Sequence, residues 1–569
     1  MRDRKLARLA AWVLCILVLA GTLEAQTVRG RVLSRSGASV DGAVLLLIDS
    51  AGGVAARALS TGTGAYALRA SAPGRFRVRA LRIGFRPVDS DRFTLSGDTT
   101  IVLRMTDDSR PLPAVTTVER GQCHVRPDSL LVVGVLWDDA KTALYAAAIT
   151  RDDRGYLFDI VDHTRRYDFA SHDLLDIAFS ENSVRDTRSW ASVPPERLRR
   201  DGYVLEARDS TTFVAPDIEV LLSSYFADTH CLRVHDKPGH PSMVGIDFTP
   251  AQHFGHVEVR GTFWLDRATQ ELSSLDFSYV DFGLSATDDT LAGGHVELAR
   301  LSTGARVMTN WSIRMPIGHA VTERHVSSPH RTMRRAGGGS TALSVLDRQE
   351  WTVDEIRVTG GTLRNVRRDT VVVWSRQTGA VDVHVSARGD SGVSGAIVSL
   401  VGSPGVQRSN ATGGVAFERL VPGEYLLDVG TDELDALGWP RNRVHVEIDT
   451  VARAIARVTI ESSIDAARST CGVDARSLPD DAGVIVGAVT RREHPVEGKL
   501  ITASWTVGSG GPGGSTTKTA KTLAGDGGFL LCGVPRERAV SIHVAGDSTV
   551  TMAQLGRGQV VRVLPVALP

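Results

Sequence analysis

The sequence predicts a mainly β, multidomain protein in which small β-sandwiches flank a central α+β domain with an antiparallel sheet. Three observations predict it. A Gly-rich turn followed by an aromatic recurs as "TGTGAY" (61–66), "NATGGVAF" (410–417) and "GDGGF" (525–529). Short runs around each copy alternate apolar and polar residues with period two, the spacing of half-buried strands. Between the first two copies the pattern changes to helical spacing and then to longer alternating runs. The length agrees, because 569 residues exceed what one hydrophobic core organises.

The first 25 residues read as a secretory signal peptide. Arg2, Arg4, Lys5 and Arg8 form a basic start, Leu9 to Ala20 an apolar run, and Ala25 a small-residue cleavage position. No later apolar stretch has the about 20 residues of a spanning helix, so no transmembrane segment is expected in the mature chain. Lys+Arg and Asp+Glu both count 65, a balance that argues against a nucleic-acid partner. Cys123, Cys231, Cys471 and Cys532 remain after the leader. An even number in an exported chain favours disulfides. Cys123–Cys231 with Cys471–Cys532 is the simplest of three pairings, each bond staying within one expected domain.

The first sandwich is expected over 26–106. "VRGRVLS" alternates, "DGAVLLLIDS" follows, and "PGRFRVRAL" points Phe76, Val78 and Ala80 one way and Arg75, Arg77 and Arg79 the other. "TIVLRM" closes it with Ile101, Leu103 and Met105 on one face. All are read as antiparallel strands. A second copy is expected over 376–462, a linker over 463–480 and a divergent third copy over 481–569. Glycine accepts a positive φ, so Gly64/Tyr66, Gly414/Phe417 and Gly528/Phe529 read as turn residue and core plug.

The phrase resembles the carboxypeptidase regulatory-like domain. Gly30, Val32, Gly42-Ala43-Val44, Gly64, Tyr66, Pro73-Gly74 and Phe76 carry the resemblance in the first unit. Gly395-Ala396-Ile397, Thr412, Gly414, Phe417, Pro422-Gly423 and Tyr425 carry it in the second. The third departs, with Lys499 after Gly498 and Arg536 after Pro535. The resemblance implies transthyretin-like/Ig-like β-sandwiches similar to carbohydrate-binding folds, without catalysis of their own, common in exported and cell-envelope proteins.

The central domain is expected over 107–375. Val133, Leu136, Ala140, Leu144 and Ala147 have helical spacing, with Asp128 or Ser129 as N-cap. "SVPPERLRRDGY" predicts a short helix started by Pro194-Pro195 and ended at Asp201-Gly202. "APDIEVLLSSYFADTHC" places Ile218, Leu221, Leu222 and Tyr225 on one helical face. The segments from "GHVEVRGTFWLD" to "DTVVVWSR" alternate as strands.

Several groups of residues carry chemistry in principle. His494 and Glu497 have zinc-ligand spacing, but Pro495 between them opposes the helix such a pair needs. His230, His235, His240, His253 and His256 cluster around Cys231 with Asp228 and Asp236, without any template spacing. Asp138, Asp139, Asp152 and Asp153 read as a wet face and a turn. The Arg75/Arg77/Arg79 row, extended by Arg82 and Arg86, reads as the wet side of a strand, and Trp264 and Trp311 as sheet core. No catalytic, metal or cofactor residues are assigned. The expectation is a non-enzymatic, exported cell-envelope binding or scaffold protein, with polysaccharide or an envelope protein as partner. An outer-membrane transport accessory is the first alternative, since receptors of the TonB-dependent class often begin with such a sandwich and "PLPAVTTVERG" (111–121) sits where a plug would start. A metal-dependent hydrolase in the central domain is the second.

Overall fold

The computed structural model describes residues 26–107, 131–185, 193–207, 210–281, 291–326, 345–388, 392–472, 479, 481–507, 514–521 and 527–569. Residues 1–25, expected to be a leader, and Cys123, Asp128, Ser129 and 111–121 lie outside them. The chain is mainly β and forms two compact units: residues 1–172 with 181–376, and residues 173–180 with 377–569. No helix among the described residues is long and apolar enough to cross a membrane.

One sandwich topology occurs three times. In the first copy, strand Gln26–Ser34 lies between Ala65–Ala70 and Thr99–Met105. The facing sheet runs Val54–Leu59, Val44–Asp49, Gly74–Leu81 and Val88–Asp89. The second copy repeats this with Gly379–Ala387 between Gly414–Leu420 and Ala454–Ile460, and the third with Ala482–Arg491 between Gly528–Pro535 and the closing Val561–Val563 and Val566–Leu568. In each copy the closing strand pairs parallel to the opening one, where antiparallel strands were expected. A side-chain period of two is common to both ladders, so alternation alone does not distinguish them.

The recurring turn has a common geometry. Gly64, Gly413 and Gly527 have φ of 74°, 81° and 67°, and their carbonyls accept from the amides of Val32, Val385 and Val489 at 2.8, 2.9 and 3.0 Å. The positive φ therefore falls on Gly413 and Gly527, one residue before the expected Gly414 and Gly528. The register follows the turn: Gly30 faces Tyr66, Val383 faces Val415, and Gly487 faces Phe529. A Cβ at Gly30 would stand 2.9 Å from the Tyr66 ring, and one at Gly487 2.7 Å from the Phe529 ring. Where the second copy has Val383, the partner is Val415 instead of an aromatic. Phe417, expected to match Tyr66, is buried two residues further along.

A buried serine completes the turn in the first two copies. The Ser60 hydroxyl donates to the Val40 carbonyl at 2.7 Å and accepts from the Ala43 amide at 2.9 Å. Ser409 does the same with Val393 at 2.5 Å and Ala396 at 2.8 Å. Removing such a hydroxyl strands a buried amide and a carbonyl. Ser60→Ala and Ser409→Ala are each expected to cost about 2 kcal/mol in urea unfolding; wild-type midpoints would show that these bonds contribute nothing.

In the first unit, helix α1 (Leu131–Asp152) lies on a large antiparallel sheet. Strands His230–Asp236, Met243–Pro250, Glu258–Asp266, Leu272–Val280, Gly293–Arg300, Arg306–Val326 and Val345–Arg368 pair in chain order, and Tyr156–Asp168 adds to the last. The expected stripe of α1 is buried: Val133 is 8% exposed, Leu136 and Ala140 0%, Leu144 and Ala147 3%. Trp137 beside it packs on Phe263 at 5.4 Å. Helix α2 (Pro195–Asp201) forms where Pro194-Pro195 predicted it, and Gly202 ends it with φ of 74°. The next segment is two helices rather than one, α3 (Ile218–Leu221) and α4 (Ser224–Thr229). Asp217 caps the first, and Ser223 caps the second by accepting from the Phe226 amide, which breaks the continuous helix.

Strand Val44–Asp49 is buried on both faces, which explains its unbroken apolar run. Leu45 and Leu47 fill the first sandwich core, while Val44, Leu46 and Ile48 pack with Leu81 against Ala146 of α1.

In the second unit, residues 173–180 join the second sandwich, and Phe179 stacks on Tyr425 at 5.0 Å. Helix α5 (Asp432–Ala436) follows strand Gly423–Gly430. The stretch expected to be a linker contains helix α6 (Ser463–Thr470), capped by Ser462. Its Ala467 packs on Val484 and Val561 of the third sandwich. Cys471 at its end bonds Cys532 with Cα atoms 6.1 Å apart.

Candidate functional site

The sequence-selected histidines do not form one centre. His230 is buried, its Nε2 3.0 Å from the Val259 carbonyl and its ring stacked on Phe226 at 4.3 Å. His235 pairs with Asp247 at 2.9 Å, His253 with Asp281 at 2.8 Å, and His256 with Glu258 at 2.9 Å. His240 is exposed in a turn. Among the described residues no three His, Cys, Asp or Glu side chains converge as metal ligands. His494 and Glu497 are not brought together as a buried pair; His494 is exposed in a two-residue strand. Cys231 is disulfide-bonded, and its expected partner Cys123 lies outside the described residues.

His256 leads into a buried polar cluster that sequence reasoning missed. Glu258 accepts from the Tyr225 hydroxyl at 3.0 Å and is 1% exposed. Its second oxygen and the Tyr203 hydroxyl are buried without hydrogen-bond partners. Burial drives the Glu258 carboxyl up against the pull of the His256 and Tyr225 bonds. Burial holds His230 down at about 4. Burial thus opposes the charged form of both groups.

The four aspartates separate. Asp138 pairs with Lys141 at 2.7 Å. Asp139, expected on a wet face, is buried, and burial with Asp138 nearby pushes its carboxyl up to about 7. Asp152 and Asp153 reach a cleft. Of the arginine row, Arg77 and Arg79 pair with Asp89 at 3.4 and 2.8 Å, and Arg82 is half-buried. Trp264 and Trp311 are 9% and 3% exposed, so neither offers a stacking platform.

Among the described residues, a cleft in the first unit offers room for a ligand. It runs between strand Val54–Leu59 of the first sandwich, the end of α1 and the central sheet, all within the first unit. A groove of about 710 Å³ is lined by Asp41, residues 57–62, Asp152, Asp153, Tyr156, Thr303 and Arg368. It shares Arg57 and Asp152 with a recess of about 280 Å³ walled by Leu144, Leu221, Leu275, Val296, Leu298 and Met308. At the junction, Arg57 and Arg151 both donate to Glu219 Oε1, at 2.7 and 2.9 Å. Burial opposes ionisation of Glu219, but the two guanidinium bonds outweigh it and hold the carboxyl low. The recess has apolar walls, a mouth of fixed charges and a hydroxyl-lined approach, features shared by ligand sites.

Comparison with curated proteins finds no match. Among solved structures, the chain is similar to a streptococcal ancillary pilin at 12% identity, over 40% of this chain and 82% of that one, with a TM-score of 0.17. It is similar to the Bacillus anthracis TIE protein at 8%, over 72% and 82%, with a TM-score of 0.16. It is also similar to BcpA, the major pilin subunit of Bacillus cereus, at 8%, over 77% and 99%, with a TM-score of 0.13. Residues 27–106 match the family model of the carboxypeptidase regulatory-like domain, and the first sandwich is such a domain.

Proposed function

We propose that this protein is an exported, non-enzymatic scaffold of the cell envelope that holds another envelope component in the cleft of its first unit. The observation that carries the reading is the threefold use of one sandwich topology, one copy being a regulatory-like domain, with the cleft built against that copy. Repeated small sandwiches separate and present surfaces; sites for partners then sit where elements meet. The internal pairing of the histidines supports a structural role for them. We read the domains as sandwiches over 26–106, 376–462 and 481–569 around the region 107–375.

A glycan array and a metal analysis of the purified chain test this. No stoichiometric metal is expected, and His253→Ala with His256→Ala should leave any binding unchanged. Bound zinc lost in that double variant, with hydrolysis of a substrate, would replace the scaffold reading by an enzyme. Glycan signal abolished by cleft substitutions would identify polysaccharide as the component; blank arrays leave a protein.

A further inference from the structure

We propose that the cleft docks an extended peptide segment that adds to the edge of strand Val54–Leu59, places an apolar side chain in the recess, and carries Lys or Arg beside it. The inference rests on the binding reading above and names the partner.

The backbone supports it first. Among the described residues, Val54–Leu59 is the outer strand of its sheet, with Val44–Asp49 as its paired neighbour. Leu59 lies opposite Val44 and Arg57 opposite Leu46, while the Ser60 amide donates to the Ala43 carbonyl. The alternation of an antiparallel ladder then turns the N–H and C=O of Arg57 and Leu59 away from the partner strand. Residues 57–62 line the groove consecutively, so this edge borders the groove. An edge with unmade backbone bonds beside a groove is the geometry of strand addition.

The side chains choose the occupant. The recess adjoins the groove at Arg57, so a residue on the added strand reaches its apolar wall of Leu275, Val296 and Leu298. Asp41, Asp152, Asp153, Asp217 and Glu219 outnumber Arg57, Arg151 and Arg368 along the two compartments. This surplus favours a cationic partner and disfavours an acidic one. A sugar ring would want an exposed aromatic face; Tyr156 is 3% exposed and covered by Arg368 at 5.1 Å.

The test is selection of a randomised phage-displayed peptide library on the full chain and, in parallel, on Leu298→Trp, which fills the recess, and Arg57→Pro, which deletes one outward N–H. Val102→Thr, exposed on the other sheet of the first sandwich, serves as control. Circular dichroism and melting confirm that each variant is folded; where Arg57→Pro is not, N-methylation of alternate residues in the selected peptide interrogates the same bond. The expected result is enrichment of alternating sequences with Lys or Arg beside an apolar residue. Binding should fall about tenfold or more on Leu298→Trp and on backbone N-methylation, and survive Val102→Thr. Acidic or non-alternating sequences, or equal binding of the N-methylated peptide, would overturn the proposal. So would a blank selection. A blank selection beside a positive glycan array would leave the binding reading intact, whereas blanks in both would remove both.

Discussion

Replacing Cys471 and Cys532 together by serine is expected to destabilise the second unit by about 4 kcal/mol. The bond closes a loop of 61 residues, and loop-closure entropy for that length falls between the roughly 3 and 4.7 kcal/mol given by 15 and 100 residues. The cross-link ties the end of α6 to strand Gly528–Pro535, and the helix otherwise holds this surface through a small contact set around Ala467, Val484 and Val561. Losing it frees the helix and opens that face of the third sandwich to water. For a unit of about 200 residues the melting temperature should drop by about 8–16 °C, and added reductant should lower the wild type to the same value. Calorimetry with and without reductant reads this directly. An unchanged transition would mean that α6 is held by packing alone.

Acidification is expected to cost the first unit about 3 kcal/mol through His230 alone. The ring is 2% exposed, burial lowers its pKa from 6.5 to about 4, and the Val259 and Phe226 carbonyls only partly offset that. Below pH 6.5 the unfolded chain takes up a proton that the folded chain refuses, so stability falls with pH until about 4 and levels off below. A tenfold difference in proton affinity between the two states is worth about 1.4 kcal/mol, and the gap here is larger than a hundredfold. His163, 8% exposed and lowered by burial to about 3, adds a decline of the same sign that extends further. Glu258 acts oppositely: its raised carboxyl loses stability as pH rises through its folded value. Urea midpoints between about pH 4 and 8 should fall on acidification, and His230→Gln should remove a large part of that slope. An identical slope in the variant would show that His230 is protonated in the folded protein.

Much of the fold was legible because burial leaves period-two and helical spacings in the sequence. Phe76, Val78 and Ala80 alternate with arginines, and the α1 stripe is spaced for one face. What failed were features that spacing does not encode. Phe417 looked like the counterpart of Tyr66, but the opposing residue decides the register: Gly30 makes room for a ring, and Val383 does not. Ser223 read as helix interior although its hydroxyl caps the next turn. Asp139 sits beside exposed Asp138 in sequence and is buried all the same. The cleft was invisible because Arg57, Arg151, Glu219 and Arg368 come from four distant segments. The signal that was available is the "VLLLI" run at 44–48: a strand apolar on both sides announces that a second element covers the first sandwich.

Native-state hydrogen exchange on the full chain tests the repeated sandwich most directly. The amides of Val32, Val385 and Val489, each bonded to the carbonyl of a positive-φ glycine, should exchange among the slowest in their units, at rates set by global unfolding. Exchange of any of the three at the rate of an exposed loop would contradict a common architecture for that copy.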